Sequence, residues 1–106
     1  MMPIPAGHHL FVIDIRYTAP SEDIESVRAP HMTFIQQCLD DGFILVSGPK
    51  VPRDGGLIIA VGESMDAVQA RMAQDPFSTA GVVEMTFTEF DPSTRHPALA
   101  ALAPQA

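Results

Sequence analysis

Leu57-Ile58-Ile59-Ala60-Val61 is the stretch on which the fold turns, five apolar residues with no polar interruption. A strand with one wet face alternates apolar and polar residues, whereas an unbroken run marks a strand covered on both faces. Immediately upstream, Arg53-Asp54-Gly55-Gly56 reads as a tight reversal, and before it Phe43 to Val46 reads as a short strand followed by Ser47-Gly48-Pro49. Downstream, Ser64 is placed to cap a helix from Met65 to Ala73 that turns Val68 and Met72 inward. Asp75-Pro76-Phe77 then starts a short turn, and Gly81 leads into a last strand, Val82 to Phe90.

The N-terminal half supplies the matching elements. Leu10 to Tyr17 is a strand with Phe11, Ile13, Ile15 and Tyr17 on one face and Leu10, Val12, Asp14 and Arg16 on the other. Ser21 suits an N-cap, and Glu22, Asp23 and Glu25 suit a helix start. Proline is costly inside a helix and well suited to the first helical position. The pattern therefore predicts a short helix or turn before Pro30 and a main helix from Pro30 to Asp40, burying Met32, Phe34, Ile35, Cys38 and Leu39 and stopping at Gly42.

Strand, helix, strand, strand, helix, strand is the split-βαβ, ferredoxin-like order. The expected fold is α+β: a four-stranded antiparallel sheet with two helices on one face. Helices cannot cover the other face, yet Leu57 to Val61 reads as covered. A second copy of the sheet is the simplest cover, so a homodimer packed sheet to sheet is expected.

A chain of 106 residues is one domain, here 1–90, with an Ala- and Pro-rich tail over 91–106 that shows no period. Hydrophobic residues at 46% and charged residues at 18% mark it as globular. Six Lys and Arg against 13 Asp and Glu give a net charge of −7, which argues against nucleic acid and anionic membranes as partners. It leaves room for an anionic small molecule, because one local Arg outweighs a distant field. The single Cys38 forms no internal disulfide, Met1 to Gly7 shows no secretory leader, and no apolar run approaches the ~20 residues of a membrane helix. A cytoplasmic protein is expected.

His31 carries the chemistry. At the entrance of a helix beginning at Pro30, the positive end of the helix dipole favours a neutral imidazole, the form a general base needs. Asp75 has two readings: an N-cap before Pro76, or a carboxylate that orients and polarises His31. Asp40, nine residues after His31, falls on the opposite side of the helix and cannot pair with it. Arg28 either holds an anionic substrate group or pairs with Glu25 or Glu22. Ser47 either hydrogen-bonds substrate or closes a turn, and Phe77 is a candidate wall of the substrate cleft. His8, His9, His31 and His96 lack metal-site spacing, and Gly55-Gly56 is no phosphate loop, so neither metal nor cofactor is expected.

From Leu10 to Phe90 the chain resembles the YciI-like (YCII-related) family of the dimeric α+β barrel superfamily. The resemblance rests on Arg28-x-x-His31, Gly42, Ser47-Gly48-Pro49, Asp75-Pro76-Phe77 and Ala80-Gly81, in that order. It implies a ferredoxin-like subunit, a dimeric barrel, and a site built on His31 and Asp75. Some members of the family are linked to removal of hydrogen halide from chlorinated aromatic breakdown products, which implies lyase or isomerase chemistry. Phe77 stands where many relatives carry Tyr, so a phenol hydroxyl is lost at this position. Ser93-Thr94-Arg95-His96-Pro97 is similar to the end of muconolactone isomerases. The expected function is a small cofactor-independent enzyme acting on a small cyclic anion. The alternative is a non-catalytic ligand-binding or accessory module, and an assembly larger than a dimer is compatible with either.

Overall fold

The structure, a computed structural model, describes residues 4–102. Expectations touching Met1 to Pro3 and residues 103–106 lie outside them.

The strands and the two longer helices follow the expected order, and a third, short helix stands where a turn was expected after Asp75: β1 His9–Tyr17, α1 Ser21–Asp40, β2 Ile44–Pro49, β3 Gly55–Gly62, α2 Met65–Met72, α3 Pro76–Thr79 and β4 Val83–Phe90, then a 3-10 turn at Pro97–Leu102. The strands form one antiparallel sheet in the order β2-β3-β1-β4, the ferredoxin-like arrangement. Cross-strand register sorts the side chains. Phe11 faces Ala60, Ile13 faces Ile58 and Phe87, and Ile15 faces Gly56 and Met85, all on the helix side. Phe11, Ile13, Ile15, Ile58 and Ala60 join Ile35, Cys38, Val68 and Met72 in the main core. A second cluster, Ile24, Phe77 and Val82, lies under the first half of α1.

Four sequence expectations need correction. First, α1 runs unbroken through Pro30, beginning after Pro20 with no side-chain cap, so Ser21 is its first residue rather than its cap. Proline in a helix interior costs about 3 kcal/mol. Here Pro30 is exposed, and the helix is anchored on both sides of it, by Ile24 in the small cluster and by Ile35 and Cys38 in the main core. Second, the buried stripe of α1 is Ile24, His31, Ile35 and Cys38, whereas Met32 is 51% and Leu39 36% exposed. Third, Ser47-Gly48-Pro49 belongs to β2, paired with Ile58, Leu57 and Gly56 across a register shift between Ile44 and Val46, rather than following the strand. Fourth, Gly55 and Gly56 begin β3, and the reversal lies before them.

The run Leu57 to Val61 alternates in the folded chain. Ile58 and Ala60 are buried against the helices, while Leu57, Ile59 and Val61 share the opposite face with Val12. On that face Leu57 is exposed and Val12, Ile59 and Val61 are half-buried, while Leu10 at its end is buried. Among the described residues no helix is long and apolar enough to cross a membrane.

Candidate active site

Two elements separated in sequence build the site. His31 is the eleventh residue of the 20-residue α1 and belongs to its buried stripe. It therefore lies mid-helix, and the expectation of a helix-entrance field acting on its ring is corrected: that field fades within the first turn. Asp75 caps α3, with Pro76 at the first helical position. Its main-chain carbonyl accepts from Ser78 N at 2.7 Å and Thr79 N at 3.0 Å, and its side-chain Oδ1 accepts from Phe77 N at 3.0 Å. Capping fixes the carboxylate. The same Oδ1 lies 2.8 Å from Nδ1 of His31, and Oδ2 lies 3.0 Å from it.

Asp75 has no exposed surface and His31 only 8%. A buried carboxylate needs donors, and Asp75 has two, the His31 ring and the Phe77 amide. With Nδ1–H donating to Asp75, the lone pair of the imidazole sits on Nε2. Phe77 stacks flat on His31, with centroids 3.7 Å apart and planes at 10°, and Tyr17 meets Phe77 edge-on at 6.0 Å. Hydrogen bond and stack together hold the imidazole in one orientation.

A cavity of about 250 Å³ adjoins this pair. His31, Phe77, Arg28 and Ser47 all line it, as do Tyr17, Met32, Leu39 and Arg53. Asp75 lies behind His31, away from the wall. Of the aromatic residues that could shape a cleft, Tyr17 and Phe77 border the cavity; Phe11 is in the core and Phe43 lies under Arg71. The exposed Met32 and Leu39 are thus cavity wall rather than core. Arg28 does pair with Glu25, at 2.8 Å, while still lining the cavity. Burial works against its charge, but the Tyr17 hydroxyl and the Glu25 carboxylate outweigh burial and hold the guanidinium above its usual range.

Sequence reasoning passed over Arg53, whose only signal was a cation beside a reversal. Two acids, Asp40 and Asp41, close α1. Asp40 accepts from Gln36 at 2.9 Å. Asp41 accepts from Phe43 N at 3.0 Å and pairs with Arg71, which also lies 4.6 Å above the Phe43 ring. Among the described residues no three His, Cys, Asp or Glu side chains gather where they could hold a metal ion.

Residues 10–90 match the YCII-related domain. The chain belongs to the YCII-related family. Protein YciI of Escherichia coli O6:H1 is 36% identical over 86 residues, covering 71% of this chain and 88% of YciI, and protein YciI of Shigella flexneri gives the same figures. Among solved structures, this YCII-related chain is similar to 5-chloro-2-hydroxyhydroquinone dehydrochlorinase (TftG) from Burkholderia phenoliruptrix AC1100, in complex with 2,5-dihydroxybenzoquinone. The TM-score is 0.64 at 23% identity, over 77% of this chain and 93% of that one. Muconolactone isomerase matches with a TM-score of 0.67 at 14% identity, over 82% of this chain and 95% of the other. These likenesses extend to the subunit fold, the four-stranded antiparallel sheet with its helices.

Proposed function

We propose that this YCII-related protein is an acid/base enzyme in which His31 removes a proton from a small cyclic anionic substrate and elimination or isomerisation follows. The observation that carries the reading is the division of labour on one imidazole. Nδ1 is bound by a carboxylate with no exposed surface, and the ring borders a cavity of about 250 Å³. Asp75 holds the tautomer in which Nε2 accepts, and its negative charge stabilises the imidazolium that forms. In an elimination, Nε2 takes a proton from a substrate hydroxyl or carbon, the freed electron pair moves into the ring system, and halide departs with its bonding pair. In an isomerisation, the same nitrogen returns the proton to a different carbon. Ser47 and Arg28 on the wall are the groups that would hydrogen-bond the substrate, and Phe77 fixes the face of the base.

Names of fold relatives support this range of chemistry: one is a dehydrochlorinase and one a muconolactone isomerase. The open sheet face supports a homodimer, with a second copy covering Val12, Leu57, Ile59 and Val61. The buried free thiol of Cys38 suits a reducing cytoplasm.

The test is turnover of a panel of chlorinated hydroxyquinols and unsaturated lactone carboxylates, read by halide release and by proton NMR in deuterated water. Product formed by the wild type and abolished in His31→Gln supports the reading. Turnover that survives His31→Gln rejects the base. Binding of panel compounds with neither product nor deuterium exchange makes the protein a ligand-binding module instead.

A further inference from the structure

Two guanidinium groups, Arg28 and Arg53, share the wall of the His31 cavity, and their electrostatic states differ. Arg28 is bound to Glu25 at 2.8 Å. Of the six Lys and Arg in the chain, Arg16, Arg28, Lys50 and Arg71 each pair with a carboxylate, and Arg95 donates to the Pro92 carbonyl. Arg53 has neither an ion pair nor a side-chain hydrogen bond among the described residues. Its chain neighbour Asp54 is engaged elsewhere, 3.9 Å from Lys50, whose ammonium also holds Asp14 at 2.7 Å. In a protein of net charge −7, Arg53 and Arg95 are the cations without a carboxylate among the described residues, and of the two Arg53 borders the cavity of the candidate base.

Arg53 is not on a loosely hung loop. Lys50 N donates to Gly55 O, and Tyr17 N donates to Asp54 O, both at 2.9 Å, so the reversal is closed at its base and tied to β1. Gly55 packs so closely on β1 that a Cβ there would lie 1.8 Å from the Ile15 carbonyl oxygen. This clamp keeps the Arg53 side of the hairpin beside the cavity.

We propose that Arg53 is the anion anchor of this cavity and sets its charge specificity: it binds the carboxylate or phenolate of a single-ring substrate whose other end meets His31. The proposal rests on the reading of the cavity as a substrate site. Charge balance gives the class. Arg28 and Glu25 cancel, leaving Arg53 as the excess charge of the wall, which suits one anionic group. Size gives the scale. A cavity of about 250 Å³ falls below the range of about 300–1,000 Å³ typical of pockets for drug-sized ligands, and fits one substituted ring.

The test uses benzoate and its neutral isostere benzamide, with binding followed by ligand-detected NMR on the wild type, Arg53→Gln, Arg53→Lys and His31→Gln. Loss of a charge-assisted contact is expected to weaken benzoate binding about tenfold or more in Arg53→Gln. Arg53→Lys should recover part of it, and benzamide binding should not respond to either change. Benzoate affinity should fall with added salt in the wild type and not in Arg53→Gln. Equal benzoate affinity in the wild type and Arg53→Gln, or no saturable benzoate binding to the wild type, overturns the anchor.

Turnover assays separate this proposal from the reading beneath it. Arg53-dependent benzoate binding, retained in His31→Gln, without turnover of any panel compound sinks the catalytic role of His31 and leaves the anchor standing. Turnover unaffected by Arg53→Gln, with no preference for benzoate over benzamide, sinks the anchor and leaves the base.

Discussion

The carboxylate of Asp75, with no exposed surface, lies 2.8 Å from Nδ1 of His31, 44 residues earlier in the chain. It reaches that position as the cap of a four-residue helix, so the same group that ends one loop orients the imidazole of another element. Replacing it separates the two roles. Asp75→Asn keeps an N-cap of nearly equal quality, but its amide can donate to Nδ1 and reverse the tautomer, placing the proton on the nitrogen that faces substrate. The expected result is a fold retained at a cost of about 1–3 kcal/mol, with kcat lowered about a hundredfold or more and KM changed little. Asp75→Ala, which strips a buried partner from both His31 and Phe77 N, should cost about 3–5 kcal/mol. Urea denaturation and steady-state kinetics read the two effects independently.

Phe77 is buried at 2% exposure and lies 3.7 Å from the His31 ring, centroid to centroid. Phe77→Leu keeps most of the apolar volume and removes the flat wall. Stability should fall by about 1–3 kcal/mol from lost stacking and imperfect packing. Turnover should fall further than stability explains, because the imidazole gains rotational freedom about its hydrogen bond to Asp75. Ring NMR signals of His31 that broaden in the variant would register that freedom; signals as sharp as the wild type's would count against a positioning role for Phe77.

Much of this was legible in the sequence, for identifiable reasons. The order of the strands and of the two longer helices follows from apolar spacing and turn residues, whereas α3 reads only as a turn; the Asp75-Pro76 cap is readable because capping is a local interaction. The meeting of His31 with Asp75 is a tertiary contact, open in the sequence as one of two readings of Asp75 and favoured there by the family resemblance. Two errors were physical. Local propensity makes Pro30 a helix start, but α1 is held from both sides by separate clusters, and tertiary packing overrides one missing hydrogen bond. The apolar side chains of α1 were all assigned to one buried stripe, when Met32 and Leu39 face a cavity that periodicity cannot see. Arg53 escaped notice because the absence of a partner is a property of the fold, not of the residue.

The uninterrupted α1 makes a prediction of its own. Pro30 is exposed and lies at the tenth of 20 helical positions, so its cost is that of a missing amide and a crowded turn with no packing in return. Pro30→Ala should raise stability by about 1–2 kcal/mol, less than the full propensity difference because proline also restricts the unfolded chain. Activity should be preserved, since His31 is positioned by Asp75 and Phe77. A thermal melt suffices, and a variant less stable than the wild type would show that Pro30 shapes the helix around His31.

Cys38 gives the fold an alkaline weakness. It is 1% exposed, and burial pushes its thiol above the usual range, against a smaller opposing pull from Arg71, whose Nη2 is 3.7 Å from the sulfur. A raised thiol leaves stability unaffected while both states are protonated. As pH rises past the unfolded value of about 8.5, the unfolded chain loses its proton, the folded chain keeps it, and stability falls. Urea midpoints should therefore drop between pH 7.5 and pH 10, and drop less in Cys38→Ala. Identical pH slopes in the two proteins would place the alkaline sensitivity elsewhere.

The open sheet face gives the last test. Leu57, Ile59 and Val61 project from β3 beside Val12 of β1, on the side opposite the main core, and Leu57 is 39% exposed. Apolar strands open to water invite association, and a second copy placed on a two-fold axis buries the patch against itself. A charge at its centre should be tolerated by the subunit, whose core lies on the other side of the sheet, and not by the pair. Ile59→Lys is expected to give a folded protein of half the wild-type mass in sedimentation equilibrium, with far-ultraviolet circular dichroism unchanged. If the wild type is itself a monomer at micromolar concentration, the face is not a self-association surface. If Ile59→Lys is still a dimer, the copies meet elsewhere, and the apolar run of β3 needs another cover.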